Sequence, residues 1–236
     1  MKIDALREHW DDLASRDAMW AILTEDAKKG GKWSEAEFFA LGEREIEGVI
    51  RAIESATGLR QFQRGLDFGC GVGRLTQALA RYCAEATGVD ISQSMVAQAR
   101  KWNRHGDRVQ YRVNTDADLR QFEDGRFDLI YSNIVLQHVA PEYAQRYMKE
   151  FFRVLRPGGV AVFQIPEKPR WTFIGAMLRI LPMWLIRKVR KMDMYGMAES
   201  EVVALGENAG GRIVEVREDN EAGPHWVSKR YLFQKV

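Results

Sequence analysis

The spacing of hydrophobic residues divides the chain near residue 60. Before that point apolar residues recur at helical spacing, first over 4–29 and then in a longer helix that begins at Ser34 and ends at Gly58. After it, short apolar runs alternate with amphipathic segments. The pattern predicts one or two short helices and a long helix in an N-terminal extension, residues 1–59. A region of alternating strands and helices follows, residues 60–236.

Within the second region the spacing switches repeatedly between the strand period and the helix period. The predicted strands are 66–68, 86–90, 109–113, 127–133 and 160–165. The predicted helices are 74–83, 93–103, 141–155 and 199–208, with a short polar helix after 117 and a turn at 156–159. Two closing strands, 212–217 and 226–236, are expected to pair as a hairpin. Repeated alternation of this kind predicts a parallel sheet with helices on both faces.

The first of these strands runs into a glycine-rich loop. Glycines occupy 69, 71 and 73, and a helical pattern begins directly afterwards. Such a loop lets a ligand lie against the main chain. The dinucleotide pattern G-x-G-x-x-G is absent, and Asp67 would repel a pyrophosphate. The loop therefore favours a ligand that carries a positive group.

The stretch Asp67-Phe68-Gly69-Cys70-Gly71-Val72-Gly73 resembles motif I of the class I S-adenosylmethionine-dependent methyltransferases. The resemblance covers about 60–236, which would then be the methyltransferase domain. It implies an α/β, Rossmann-like methyltransferase fold. In that fold a mostly parallel seven-stranded sheet ends in an antiparallel C-terminal hairpin strand and carries helices on both faces. Residues 168–198 would be a cap insertion over the acceptor.

The resemblance also implies a cofactor site for S-adenosylmethionine, with S-adenosylhomocysteine as the product. Asp67, Gly69, Cys70, Gly71 and Gly73 would hold the methionine end. Asp90, at the end of the second strand, is placed to accept hydrogen bonds from the ribose hydroxyls. Ile91 would pack on the adenine, and Asp116 with Ala117 would meet its edge, Asp118 being the alternative one register along. Asn133 ends the fourth strand in a stretch that resembles motif IV.

His138 is the candidate general base, because imidazole titrates near neutral pH and this strand end opens towards the substrate. The alternative is a structural histidine that caps the next helix or binds the backbone. His225, beside the last strand, is a second candidate. No cluster of residues has the spacing of a metal site, so no metal is expected.

The acceptor is predicted to be a small molecule that is methylated on oxygen or nitrogen. No cysteine follows the fourth strand as a nucleophile, and no basic cluster lies beside aromatics along the core strands, so nucleic acid is not expected. The cap is apolar with basic residues over 170–191. It predicts either a plain cap or contact with a lipid-like acceptor, a glycolipid or a membrane surface.

Composition further limits the class of protein and its expected location. The chain has 236 residues, 46% of them hydrophobic, and a formal net charge of +2. Its two cysteines make no disulfide framework, and the N-terminus lacks the apolar core of a signal peptide. The expected location is the cytoplasm, with peripheral membrane contact as an extension. An NAD-dependent oxidoreductase and a non-catalytic cofactor-binding protein stay open as alternatives.

Overall fold

A computed structural model describes residues 3–172 and 193–236. Most of the predicted cap, 168–198, and of the predicted membrane-contact segment, 170–191, lies outside these described residues. Within them, no helix combines the length and the hydropathy needed to cross a bilayer.

The strands form one seven-stranded sheet in the order β3-β2-β1-β4-β5-β7-β6. Strands β1 to β5 pair in parallel, and β7 pairs antiparallel with both β5 and β6. Their bounds are β1 Phe62–Phe68, β2 Cys83–Asp90, β3 Val109–Val113, β4 Phe127–Ser132, β5 Leu155–Pro169, β6 Gly211–Asp219 and β7 Trp226–Lys235. The predicted fold class, with its antiparallel ending, is confirmed.

Six α-helices surround the sheet in the described residues. They are α1 Ile3–Ile22, α2 Glu35–Thr57, α3 Arg74–Leu79, α4 Gln93–Lys101, α5 Pro141–Val154 and α6 Glu199–Asn208. The long helix α2 has the predicted ends: the Ser34 hydroxyl accepts the Glu37 N–H, and Gly58 follows in the left-handed conformation. The first helical segment is broken at Asp17, whose backbone is extended.

Two local predictions are wrong. No helix follows residue 117, because the amide of Asn114 donates to the carbonyl oxygens of Asp116 and Asp118 and holds this stretch as a loop. The turn predicted at 156–159 is part of β5, which crosses it with a shift in its register against β4. Glycine there allows such an irregularity without ending the strand.

Helix α1 is attached to the sheet through the first turn of α4. One carboxylate oxygen of Asp11 accepts hydrogen bonds from the Ser92 hydroxyl at 2.6 Å and from the Ser94 N–H at 3.0 Å. Ser92 in turn caps α4 by accepting the Met95 N–H. An acidic group at a helix N-terminus is also favoured by the helix dipole. Asp11 therefore ties α1 to the N-terminus of α4, beside the bond from the Gln98 amide to the Ala14 carbonyl and the apolar packing of Met95.

We expect Asp11→Ala to lower the free energy of unfolding by about 1–2 kcal/mol, since two bonds to a charged group are lost. Burial raises the pKa of Asp11, but the hydrogen bonds from Ser92 and Ser94 and the charge of Arg7 lower it more, so that the net shift is downward. The contribution of Asp11 should therefore be present above its unfolded pKa of about 4 and lost as the pH falls below it.

Denaturant unfolding at neutral and acidic pH measures both effects. Asp12→Ala is the matched control, because Asp12 is exposed and pairs only with Arg16 on its own helix in the described contacts. Equal losses in the two variants would contradict the assigned role of Asp11.

Candidate active site

The glycine loop after β1 is held by hydrogen bonds within the protein. The carbonyl of Val89 accepts the N–H groups of Gly69 and Cys70, and a carboxylate oxygen of Asp90 accepts the Gly71 N–H at 2.8 Å. The Gly73 N–H donates to the Cys70 carbonyl. These amides are therefore already used. The loop offers a ligand a close approach to the main chain rather than a row of free donors for a phosphate.

Two carboxylates flank this loop at the ends of adjacent strands. Asp67 is 1% exposed; one of its oxygens accepts the Thr76 hydroxyl at 2.6 Å, and the other is buried without a hydrogen-bond partner. Burial raises the pKa of Asp67 to about 7. Asp90 accepts the N–H groups of Gly71 and Ser92, and burial raises its pKa to about 6. Both groups would be stabilised as anions by a nearby cation.

A cavity opens above the loop, between the sheet and α1. Six of the residues predicted from the sequence line it: Gly69, Cys70, Gly71, Asp90, Ile91 and Asn133. The apolar side chains of Leu6 and Trp10 from α1 cover it. The N-terminal extension is thus part of the wall of this cavity.

The other predicted cofactor residues lie elsewhere. Asp67 and Gly73 are not part of the lining, and neither are Asp116 and Ala117. The side chain of Asp116 is exposed, whereas the buried Asn114 faces the cavity. The roles given to Asp116 and Ala117 stay predictions.

A second, larger cavity of about 1020 Å³ adjoins the first. The two share Ile22, Arg74 and Ile134 in their linings. Ile134 has a φ of +60°, the one positive value of a non-glycine residue in the described chain. A β-branched residue in this conformation is strained by about 1–3 kcal/mol, and such strain is concentrated at functional sites. The outlier marks the point where the two cavities meet.

The wall at this meeting point contains an ion pair that no motif predicted. Arg74, 4% exposed, lies 2.9 Å from Glu45 of α2. The same carboxylate accepts hydrogen bonds from the Tyr131 hydroxyl and the Asn133 amide, each at 2.8 Å. Four elements are joined here: α2, the start of α3, β4 and the loop after β4.

His138 lines the larger cavity, but both of its ring nitrogens are hydrogen-bonded within the protein. Nδ1 lies 2.9 Å from the carbonyl oxygen of Asp193, and Nε2 lies 3.0 Å from the amide nitrogen of Gln137. The Gln137 amide oxygen accepts from Gln164, which leaves its nitrogen to donate to the ring. His138 is therefore a neutral ring that donates through Nδ1. Its lone pair is not free for a substrate proton.

Comparison with known proteins agrees with this geometry. Residues 66–163 match the family described as "Methyltransferase domain". The chain is 34% identical over 104 residues to the malonyl-[acyl-carrier protein] O-methyltransferase of Enterobacter lignolyticus, covering 44% of this chain and 39% of that one. It is 36% identical over 126 residues to the ubiquinone biosynthesis O-methyltransferase of Coxiella burnetii, covering 50% and 52%. The chain thus spans about half or less of these curated relatives.

Among solved structures, the fold resembles magnesium protoporphyrin IX methyltransferase from Synechocystis with bound S-adenosylhomocysteine. The TM-score is 0.69 at 18% identity, and all of both chains is covered. Residues 66–163 are a methyltransferase domain of the class I S-adenosylmethionine-dependent family. The predicted family is confirmed.

The residues of this methyltransferase domain fit the cofactor of the family, S-adenosylmethionine. A Cβ atom added to Gly69 would lie 2.2 Å from a methyl group of Val135, and one added to Gly71 would lie 2.5 Å from Ile22, so the loop accepts no side chain of its own. The orphaned oxygen of Asp67 lies buried beneath it. A ligand with an ammonium and a sulfonium group, and no phosphate, matches a loop that lies between two carboxylates.

Among the described residues, no group of histidine, cysteine and carboxylate side chains is arranged to hold a metal ion.

Gly73 of the methyltransferase domain provides a test of the loop geometry. Its φ is +86°, and an added Cβ would lie 2.3 Å from the Tyr111 hydroxyl. We expect Gly73→Ala to lower the free energy of unfolding by about 2–4 kcal/mol. This is the sum of the cost of an alanine in the left-handed conformation and the cost of displacing the buried Tyr111 ring. Gly58→Ala is the control, since Gly58 has a φ of +75° with open space around it. It should cost only about 1 kcal/mol. Chemical denaturation measures the loss of stability in both variants. Equal losses would refute the clash between the added Cβ and Tyr111.

His138 provides a test by pH. Burial lowers the pKa of His138 below its ordinary value of 6.5. The unfolded chain then binds more protons below that pH, so the stability that depends on neutral His138 is present above it and lost as the pH falls. We expect the free energy of unfolding to decrease less on acidification in His138→Gln than in the wild type. Parallel pH profiles would show that His138 is not buried in its neutral form.

Proposed function

We propose that this protein transfers a methyl group from S-adenosylmethionine to a small-molecule acceptor. The observation that carries the proposal is the contact between the two cavities at Ile22, Arg74 and Ile134. One cavity has the features of the family's cofactor site, and the other has room for a second molecule. Two reactants held side by side in this way are the main requirement for methyl transfer, because positioning removes much of the entropic barrier.

Each candidate residue has a role in this proposal. Asp67 and the loop of Gly69, Cys70, Gly71 and Gly73 would face the methionine end, and Asp90 the ribose. Ile91, Asp116 and Ala117 would meet the adenine, with Asn114 as an addition from the cavity lining. Asn133 would mark the end of the cofactor cavity that faces the acceptor. When bound, S-adenosylmethionine supplies a methyl group on a positively charged sulfur.

Oxygen is the atom that we propose to be methylated, and nitrogen is the alternative. The support comes from the relatives, which are named O-methyltransferases. The large cavity mixes arginine and glutamate side chains with apolar ones such as Trp33, Leu41 and Val49. An acceptor with both a polar and an apolar part suits such a lining.

A lipid-like acceptor or peripheral membrane contact is the finer form of this proposal. Of the segment 170–191, the structure describes Arg170, Trp171 and Thr172, and Trp171 is 86% exposed. An exposed tryptophan beside basic residues is typical of interfacial contact. Co-sedimentation with anionic vesicles at low salt tests it, and a protein that stays in the supernatant would remove the lipid contact.

Calorimetric titration with S-adenosylhomocysteine, beside NAD and NADP, tests the cofactor. We expect saturable binding of S-adenosylhomocysteine alone, weakened at least tenfold in Asp90→Ala. Because the pKa of Asp67 is raised to about 7 and that of Asp90 to about 6, a ligand carrying an ammonium group should release protons when it binds near neutral pH.

Titrations in two buffers of different ionisation enthalpy measure that release. Preference for a dinucleotide would contradict the proposal, and so would the absence of S-adenosylhomocysteine binding.

A further inference from the structure

Glu221 stands at the boundary between the two cavities. It belongs to the connection between β6 and β7, and its side chain lines the larger cavity. One of its carboxylate oxygens lies 3.4 Å from the amide nitrogen of Asn133, a residue that lines the cofactor cavity. The carboxylate therefore lines the larger cavity and lies against a side chain that lines the cofactor cavity.

The bonds of Glu221 to the protein are long. Its other oxygen lies 3.6 Å from Arg230, beyond hydrogen-bonding distance. Glu45, which lies against the same Asn133 amide, accepts from Arg74, Tyr131 and Asn133 at 2.8–2.9 Å. Protonation of Glu45 would weaken three good bonds, whereas protonation of Glu221 would weaken only long ones. Of these two carboxylates, Glu221 is the one that can take up a proton at low cost.

Charged groups on three elements set the affinity of Glu221 for a proton. Burial and the negative charge of Glu45 on α2 raise its pKa. Arg230 on β7 lowers it, but Asp219 at the end of β6 shares that guanidinium, at 3.5 Å. The net shift is upward, which is the direction that suits a general base at neutral pH.

The other proton acceptors of the large cavity are placed less well. Both ring nitrogens of His138 are occupied by Gln137 and Asp193. One ring nitrogen of His225 lies 3.3 Å from the Thr172 hydroxyl, beyond the end of β5. Glu25 is exposed at the rim.

We propose that Glu221 is the general base that removes the proton from the acceptor's hydroxyl group during methyl transfer. This inference rests on the proposed function. The acceptor O–H bond breaks and its proton passes to a carboxylate oxygen of Glu221. The acceptor oxygen forms a bond to the methyl carbon while the carbon–sulfur bond breaks, leaving its electron pair on sulfur. The proton leaves to solvent through the large cavity after the product has departed.

The first arm of the test needs no acceptor. In protein labelled with ¹³C at the glutamate carboxyl carbons, the Glu221 resonance is assigned by its loss in Glu221→Gln and titrated by NMR. The complex with S-adenosylhomocysteine is compared with the complex with sinefungin, which carries an ammonium group where the sulfonium methyl would be. We expect the cation to lower the pKa of Glu221 by about one unit, because an opposite charge a few ångströms away favours the ionised form.

Glu218 is the internal control of this arm. It lies near the end of β6, three residues before Glu221, its side chain is 61% exposed, and it faces Arg170 rather than the cavity. Its resonance should not distinguish the two ligands. A Glu221 resonance that is equally insensitive, with both ligands bound, would overturn the proposal while leaving the proposed function intact. Failure of both ligands to bind would instead refute the proposed function.

The second arm uses phenols of different acidity as acceptors. At about pH 8, Glu221→Gln should lower kcat roughly 10²–10⁴-fold with catechol, whose hydroxyl must be deprotonated, and far less with 4-nitrophenol, which is already largely ionised. The wild-type rate with catechol should rise with pH through the pKa of Glu221, and this dependence should be lost in the variant.

Glu218→Gln is the matched control and should leave both rates unchanged. Equal losses in kcat with the two phenols in Glu221→Gln would contradict a role as base. If the wild type methylates neither phenol, these phenols are not its acceptors, and the NMR comparison still decides the place of Glu221.

Discussion

Two carboxylates at the ends of adjacent parallel strands, Asp67 buried and Asp90 half-buried, impose the main constraint on this structure. Asp67 and Asp90 cannot both be ionised there without compensation. The glycine loop supplies part of it, since its amide at Gly71 and the N–H of Ser92 are directed at Asp90. Thr76 supplies another part for Asp67. One oxygen of Asp67 is left without a partner, and a cation bound in the neighbouring cavity would stabilise this carboxylate through its charge.

The wall where the two cavities meet depends on a second charged arrangement, centred on Glu45. A single carboxylate ties Arg74 at the start of α3 to Tyr131 and Asn133 at the end of β4. Gly42 allows this approach, because a Cβ atom there would lie 2.6 Å from the Arg74 side chain. Truncating one partner of such a buried set leaves the others unpaired, so the set behaves as a unit. The N-terminal extension therefore contributes residues to the walls of both cavities rather than forming a separate layer.

The sequence was sufficient for those features that depend on local periodicity. The order of strands and helices, the caps at Ser34 and Gly58 and the antiparallel ending all follow from spacing and turn chemistry. Asp90 could be predicted from its place at a strand end, because parallel strands bring their carboxyl ends to one edge, whereas Asn133 was predicted from the resemblance to motif IV. The break at Asp17 and the loop at Asn114 could not, because each depends on which carbonyl or amide a polar side chain meets after folding.

The residues that prediction missed are those whose partners are distant in the chain. Glu45 and Asn133 are separated by 88 positions, as are Asn133 and Glu221, and neither pair has a spacing that could reveal it. His138 shows the converse. Its residue type and position favoured a base, but only the contacts with Gln137 and Asp193 reveal that its nitrogens are engaged.

The internally bonded glycine loop has a consequence for competition between metabolites. Its amides are committed to Val89, Cys70 and Asp90 before any ligand arrives, so the loop is ordered in advance. A phosphorylated nucleotide would find few free donors there and would meet two carboxylates. Selectivity at this site is then largely a matter of rejection. In a solution rich in nucleoside phosphates, the site would therefore stay unoccupied. A scarcer, positively charged ligand could then bind without competing against them.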